Sequence, residues 1–132
     1  MSEQFLYTKY IGKEVEVEID RPLGSKHPKC EIVYDLNYGY VPGTRAGDGE
    51  EIDVYVLHIK HPIKKVKAKC IAIVCRYDDV ENKLILSDGI EEYTDNQILE
   101  MIQFNEKFFD SIVVRNQTQY QLFLIEKKRR LN

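Results

Sequence analysis

Cysteine is scarce in this sequence, and the few that occur form no pattern. Cys30, Cys70 and Cys75 are odd in number, show no Cys-x-x-Cys spacing and have no matching histidine pairs, so neither a disulfide framework nor a zinc site is suggested. They are expected to be reduced core residues. Long apolar runs are missing as well, since no stretch approaches the length needed to cross a bilayer. The amino-terminal MSEQFLYTKYIGKEVEV lacks the basic-then-apolar run of a signal peptide, so nothing marks the chain for export. The expectation is a cytoplasmic protein with no membrane partner. Nor is there a surplus of positive charge: a net charge of -3 and a pI near 5.6 argue against a surface built to hold nucleic acid. The terminal Lys127-Lys128-Arg129-Arg130 reads as a solubilising end.

What is present suits one globular domain over residues 1–132, with 43% hydrophobic residues to build one core. From Lys13 to Asp20, Val15, Val17 and Ile19 alternate with Glu14, Glu16 and Glu18, the period of a half-buried strand. The next loop carries two prolines, a glycine, three cations and a histidine, from Arg21-Pro22-Leu23-Gly24 to Lys26-His27-Pro28-Lys29. Its charges read either as scattered surface groups or as a place to hold an anion. A short strand is expected over Cys30 to Tyr34, a turn at Asn37-Tyr38-Gly39-Tyr40, and strands over Ile52 to Ile59, Val66 to Arg76 and Lys83 to Leu86. Thr94-Asp95-Asn96-Gln97 has the form of a capping box, and the apolar spacing behind it predicts a helix over 94–109. Thr118 to Ile125 fits a last strand or a short helix. Short strands, turns and one late helix together imply a mainly β (α+β) fold, a small closed or partly closed β-barrel with a C-terminal helix.

The most informative stretch is Asn37 to Val56. It places four carboxylates, Asp48, Glu50, Glu51 and Asp53, within six residues at the entry to an apolar strand. Like charges this close repel, so they either splay into water or gather around cations. Asp53 favours the second, because it lies inside Ile52-Asp53-Val54-Tyr55-Val56-Leu57, where a charge is expensive unless paired or bound to a metal. A second acidic turn, Tyr77-Asp78-Asp79-Val80-Glu81-Asn82, follows the longest apolar strand. By itself it is an ordinary hairpin loop.

The order Tyr34-x-x-Asn37-Tyr38-Gly39-Tyr40-Val41-Pro42-Gly43-Thr44, then Asp48-Gly49-Glu50-Glu51-Ile52-Asp53-Val54, resembles the core of the soluble (family I) inorganic pyrophosphatases. Their signature is Asp-x-Asp-Pro-hydrophobic-Asp. This chain keeps the outer aspartates as Asp48 and Asp53 and has Glu50 and Glu51 where the middle aspartate and proline stand. Asp78, Glu81 and Lys83 resemble the family's second acidic turn, with a shorter loop and a glutamate for its second aspartate, and Asp20-Arg21 resembles its Asp-Arg pair. The resemblance covers roughly residues 15 to 86. Further on, the family carries a Tyr-Lys pair where this chain has Phe108-Phe109.

That resemblance implies an OB-type five-stranded barrel, a short and divergent family member, and magnesium-dependent hydrolysis of pyrophosphate to two phosphates by a metal-activated water. Manganese would suit the same oxygen donors. It implies that Asp48, Asp53 and Glu81 bind the activating metal, that Asp78 and Glu81 hold a metal brought with the substrate, and that Glu50 stands in the place of the general base. Arg21, Tyr38 and Lys83 would steady phosphate oxygens. Members of the family commonly form homo-oligomers, and the Phe104, Phe108 and Phe109 face suits interface as well as core. The competing reading is a non-catalytic OB-type module that binds a phosphorylated ligand or single-stranded nucleic acid, favoured by Phe108-Phe109 and the altered base.

Overall fold

A computed structural model describes residues 5–131; the first four residues of the amino-terminal stretch and Asn132 lie outside the described residues. The elements in chain order are β1 (Glu14–Arg21), β2 (Asn37–Val41), β3 (Ile52–Val56), β4 (Lys65–Arg76), β5 (Lys83–Ser87), α1 (Asp95–Glu106), β6 (Ser111–Val114) and α2 (Gln117–Arg130). The strands are hydrogen-bonded in the order β1-β2-β3-β5-β4, and β4 returns to pair with β1. That last pairing closes a five-stranded barrel. Its length lets β4 serve three neighbours, with Lys65 to Lys69 against β1, Ile73 to Arg76 against β6, and β5 along its other edge.

The alternation in β1 has a simple outcome. Val15 and Val17 point into the barrel, and Glu14, Glu16 and Glu18 face outward directly opposite Lys69, Lys67 and Lys65. Opposite charges across a strand pair contribute roughly 0.2–1 kcal/mol each. Strands β3 and β5 do not alternate, because both of their faces are covered. Ile52, Val54, Val56, Leu84 and Leu86 fill the barrel, where Tyr120 and Phe123 of α2 pack against them. Tyr55 and Ile85 lie on the outer face beneath Ile98 and Ile102 of α1. A bulge between Cys70 and Ala72 carries β4 from one face pattern to the other.

Several expectations need correction. Asn37 to Val41 is a strand, not a turn, and Gly39 is what lets it approach β1. A Cβ there would lie 1.9 Å from the Glu18 carbonyl oxygen. Residues 30–34 form no strand; the loop is closed by a bridge between Lys26 and Val33, with His27 N donating to the Ile32 carbonyl and Tyr34 N to the Ser25 carbonyl. The segment left open at 118–125 is helical, within α2, and strand β6 precedes it. Helix α1 begins as expected, with the Thr94 hydroxyl accepting from Gln97 N and the Gln97 side chain accepting from Thr94 N, but it ends at Glu106. Cys70 and Cys75 are core residues, whereas Cys30 is exposed.

The buried stripe of α1 runs Ile98, Ile102, Glu106, and so ends on a charge. The charge is answered by Arg76 at the end of β4, whose Nε and Nη2 donate to Glu106 at 3.0 and 2.6 Å. Tyr55 and Ser111 donate to the same carboxylate, both at 2.6 Å. Burial pushes the Glu106 carboxyl up, but the Arg76, Ser111 and Tyr55 hydrogen bonds outweigh it and hold the group below its usual range. A depressed carboxylate adds stability above its unfolded pKa of about 4.3 and loses it as the pH falls through the folded value. Glu106→Ala leaves the buried guanidinium with Asp79 alone, to which Arg76 Nη1 donates at 2.9 Å, so urea unfolding at pH 7 is expected to show a loss of about 3 kcal/mol, the low end for breaking a buried pair, that shrinks in acid. An unchanged unfolding midpoint would contradict this pairing.

Candidate active site

Parallel pairing of β3 with β5 places Val54 opposite Leu84, which brings the preceding residues, Asp53 and Lys83, together where both strands begin. The acidic loop enters β3 at this mouth, and the second acidic turn enters β5 at the same end. Their closeness is therefore a matter of register. Lys83 is almost wholly buried, with 3% of its side chain exposed. A buried ammonium needs an acceptor for each of its three protons. It has three: Tyr38 Oη at 2.6 Å, Glu81 Oε1 at 2.9 Å and Asp53 Oδ2 at 3.1 Å. The Tyr38 hydroxyl in turn donates to Asp53 Oδ2 at 2.9 Å.

Asp53 and Glu81 grip the same Lys83 ammonium, which brings them near enough to interact through a proton held between the two carboxyls. Burial pushes the Glu81 carboxyl up, and the hydrogen bond to Asp53 pushes it further, to about 7, against the pull of Lys83. Burial acts on Asp53 in the same direction, but the hydrogen bonds from Glu81, Lys83 and Tyr38 and the charge of Lys83 win, holding Asp53 below the usual range. Burial, and then the Asp53 charge, raise the Tyr38 hydroxyl well above its ordinary value, so it stays a donor.

The other expected residues surround this cluster. A register shift between Ile19 and Arg21 sets Arg21 opposite Tyr38, and burial raises the Tyr34 hydroxyl overall while the Arg21 charge pulls it down. Burial raises the neighbouring Asp20; Arg21 lowers it, and the charges of Asp53 and Glu51 raise it again, so the field of the mouth reaches β1. Asp48 is exposed in a compact turn, its Oδ1 accepting from Glu50 N at 3.0 Å. Glu50 is exposed on the same loop, and Glu51 accepts from Gly43 N at 3.3 Å. Asp78 is not drawn into the cluster, and its carboxylate accepts from Asp110 N at 3.1 and 3.2 Å. Phe109 stacks on the Arg76 guanidinium at 3.6 Å, while Phe108 is exposed.

Among the described residues no three His, Cys, Asp or Glu side chains gather as a metal-holding group. The hard-oxygen pair of Asp53 and Glu81 nevertheless suits an ion such as magnesium, which typically takes one or two protein carboxylates, keeps several waters and leaves positions for phosphate. Two ionised carboxylates at about 4 Å repel by about 4 kcal/mol at an effective dielectric of about 20. A proton or a cation between them removes that repulsion. In the metal-free protein, Asp53→Asn is expected to bring the Glu81 titration, followed by carboxyl carbon NMR, from about 7 down toward the ordinary value of about 4.3. A midpoint that stays put would contradict the shared proton.

Sequence reasoning overlooked Arg76, Glu106 and Tyr7, the last of which accepts from Gly47 N between the two acidic loops. The first two were visible as charges at positions reserved for apolar side chains, one at the end of a core strand and one on a buried helical stripe. The amino-terminal segment gave no comparable signal.

The Pyrophosphatase family model, described as inorganic pyrophosphatase, matches residues 10–121. An inorganic pyrophosphatase from Campylobacter jejuni is 28% identical over 102 residues, a match covering 64% of this chain and 59% of that protein. The chain thus spans less than two thirds of that relative's length. The fold is similar to the crystal structure of inorganic pyrophosphatase from Ehrlichia chaffeensis, with a TM-score of 0.64 at 20% identity, covering 86% of this chain and 93% of that one. For the inorganic pyrophosphatase of Helicobacter pylori the TM-score is 0.61 at 15% identity, covering 96% and 99%. With the family model spanning most of its length and the barrel shared with these structures, the chain belongs to the inorganic pyrophosphatase family.

Proposed function

We propose that the protein hydrolyses inorganic pyrophosphate to two phosphates at the mouth formed by β3 and β5, with magnesium, in the cytoplasm. The observation that carries the proposal is the buried Lys83 held by Asp53, Glu81 and Tyr38, a cation and two carboxylates converging where two acidic loops meet. Such a convergence is costly to build and has no evident structural need at a barrel mouth.

In this reading Asp53 and Glu81 hold the ion, with Asp48 approaching from the neighbouring loop. Bound there, the ion would neutralise phosphoryl oxygens and acidify a water. Arg21 would present N–H donors to the phosphate groups, and Lys83 and Tyr38, whose protons are held by Asp53, Glu81 and each other in the metal-free protein, would turn donors toward phosphate once an ion takes over those carboxylates. Glu50 takes the proton from the attacking water. It is exposed at the rim, with a longer reach than an aspartate there would have. Asp78 has lone pairs to spare beyond the Asp110 N–H and would serve an ion arriving with the substrate.

The test is phosphate release from pyrophosphate by the purified chain, with and without magnesium. Turnover is expected with the metal alone present, falling by roughly a hundredfold or more in Asp53→Ala, since changes merely beside a metal ligand already cost about 10–100-fold. No release above the Asp53→Ala background from folded protein would overturn the proposal and favour a non-catalytic module that binds phosphorylated ligands.

A further inference from the structure

The Tyr7 hydroxyl lies where the two acidic loops meet. It accepts a hydrogen bond from Gly47 N at 3.1 Å, one residue before Asp48, and a longer one from Asn82 N at 3.5 Å, one residue after Glu81. The loops also touch directly. A Cβ on Gly47 would lie 2.5 Å from the Val80 carbonyl oxygen, so any larger residue would force them apart.

This clasp is anchored in the core. Tyr7 is 1% exposed, and its ring meets Tyr120 edge-on at 6.4 Å. The Asn82 amide donates to the Tyr120 hydroxyl at 3.4 Å, and Asn82 Oδ1 accepts from Arg76 N at 3.2 Å. Helix α2, the end of β4 and the amino-terminal segment therefore hold the Asn82 turn together. Asp48 and Glu81 repel one another across it when both are ionised. Because two N–H donors occupy the hydroxyl oxygen, its proton is left for an acceptor, and Glu81 and Asp48 are acids whose charges bear on it.

We propose that Tyr7 is a positioning residue that fixes the separation of Asp48 and Glu81 and so sets how tightly the acidic mouth binds its divalent ion. The inference rests on the reading of these acids as ion-holding. Tyr7→Phe keeps the ring and deletes the clasp. Calorimetric titration of the full chain with magnesium alone, without pyrophosphate, is expected to show binding weakened about tenfold, the low end for groups that orient metal ligands. Turnover of Tyr7→Phe should demand correspondingly more magnesium and recover as magnesium is raised. Unchanged magnesium affinity would overturn the proposal, as would turnover that stays low at saturating magnesium with unchanged affinity, the mark of a merely structural residue. Should Tyr7→Phe fail to fold, Gly47→Ala opens the same contact from the other loop, and the same outcomes apply. If the wild-type chain binds no magnesium, the ion-holding reading falls and this inference with it; wild-type binding that Tyr7→Phe leaves intact removes the inference alone.

Discussion

The closeness of Asp53 and Glu81 is the constraint on which the mouth of this barrel depends. Two carboxylates drawn onto one ammonium at the entry to two core strands repel each other, and a single proton between them leaves one charged in a half-buried place. Lys83 supplies the missing positive charge from within, and Tyr38 adds a hydroxyl proton. Remove the ammonium and the pair would separate or protonate fully. The barrel fixes this arrangement through its parallel β3–β5 pairing, which brings Asp53 and Lys83 together without help from a flexible loop.

A second buried cation does for the outer layer what Lys83 does for the mouth. Arg76 closes the end of β4 onto Glu106 and so binds α1 to the barrel. The two clusters are connected through aromatic rings, since Tyr38 and Tyr55 meet edge-on at 5.0 Å and Tyr55 donates to Glu106. A barrel that carries charges at two strand ends thus keeps each of them paired, and the helix that shields the outer face is held by one of those pairs.

Much of this was legible in the sequence, and the failures have physical causes. Alternation in β1, the capping box at Thr94 and the continuous apolar runs of β4 and β5 report local periods, and those elements appear as expected. Asn37 to Val41 was misread because a glycine between tyrosines resembles a turn, whereas Gly39 serves a close approach between strands that local reasoning does not see. The end of the chain stayed ambiguous because Tyr120, Leu122 and Leu124 alternate like a strand, although it is Tyr120 and Phe123, three apart, that are buried. Within the site, the acidic runs and Asp53 stood out by their cost. The partnership of Asp53 with Lys83 was not visible, since it follows from strand order. Tyr7, which clasps the two acidic loops from far away in sequence, was invisible for the same reason.

If Asp53 and Glu81 are the heart of a divalent-ion site, a crystal of the protein grown with manganese will show an anomalous manganese peak in coordination contact with both carboxylates at the mouth of β3 and β5, the ion having replaced their shared proton. Density showing the ion elsewhere, with Asp53 and Glu81 still on the Lys83 ammonium alone, would contradict that role.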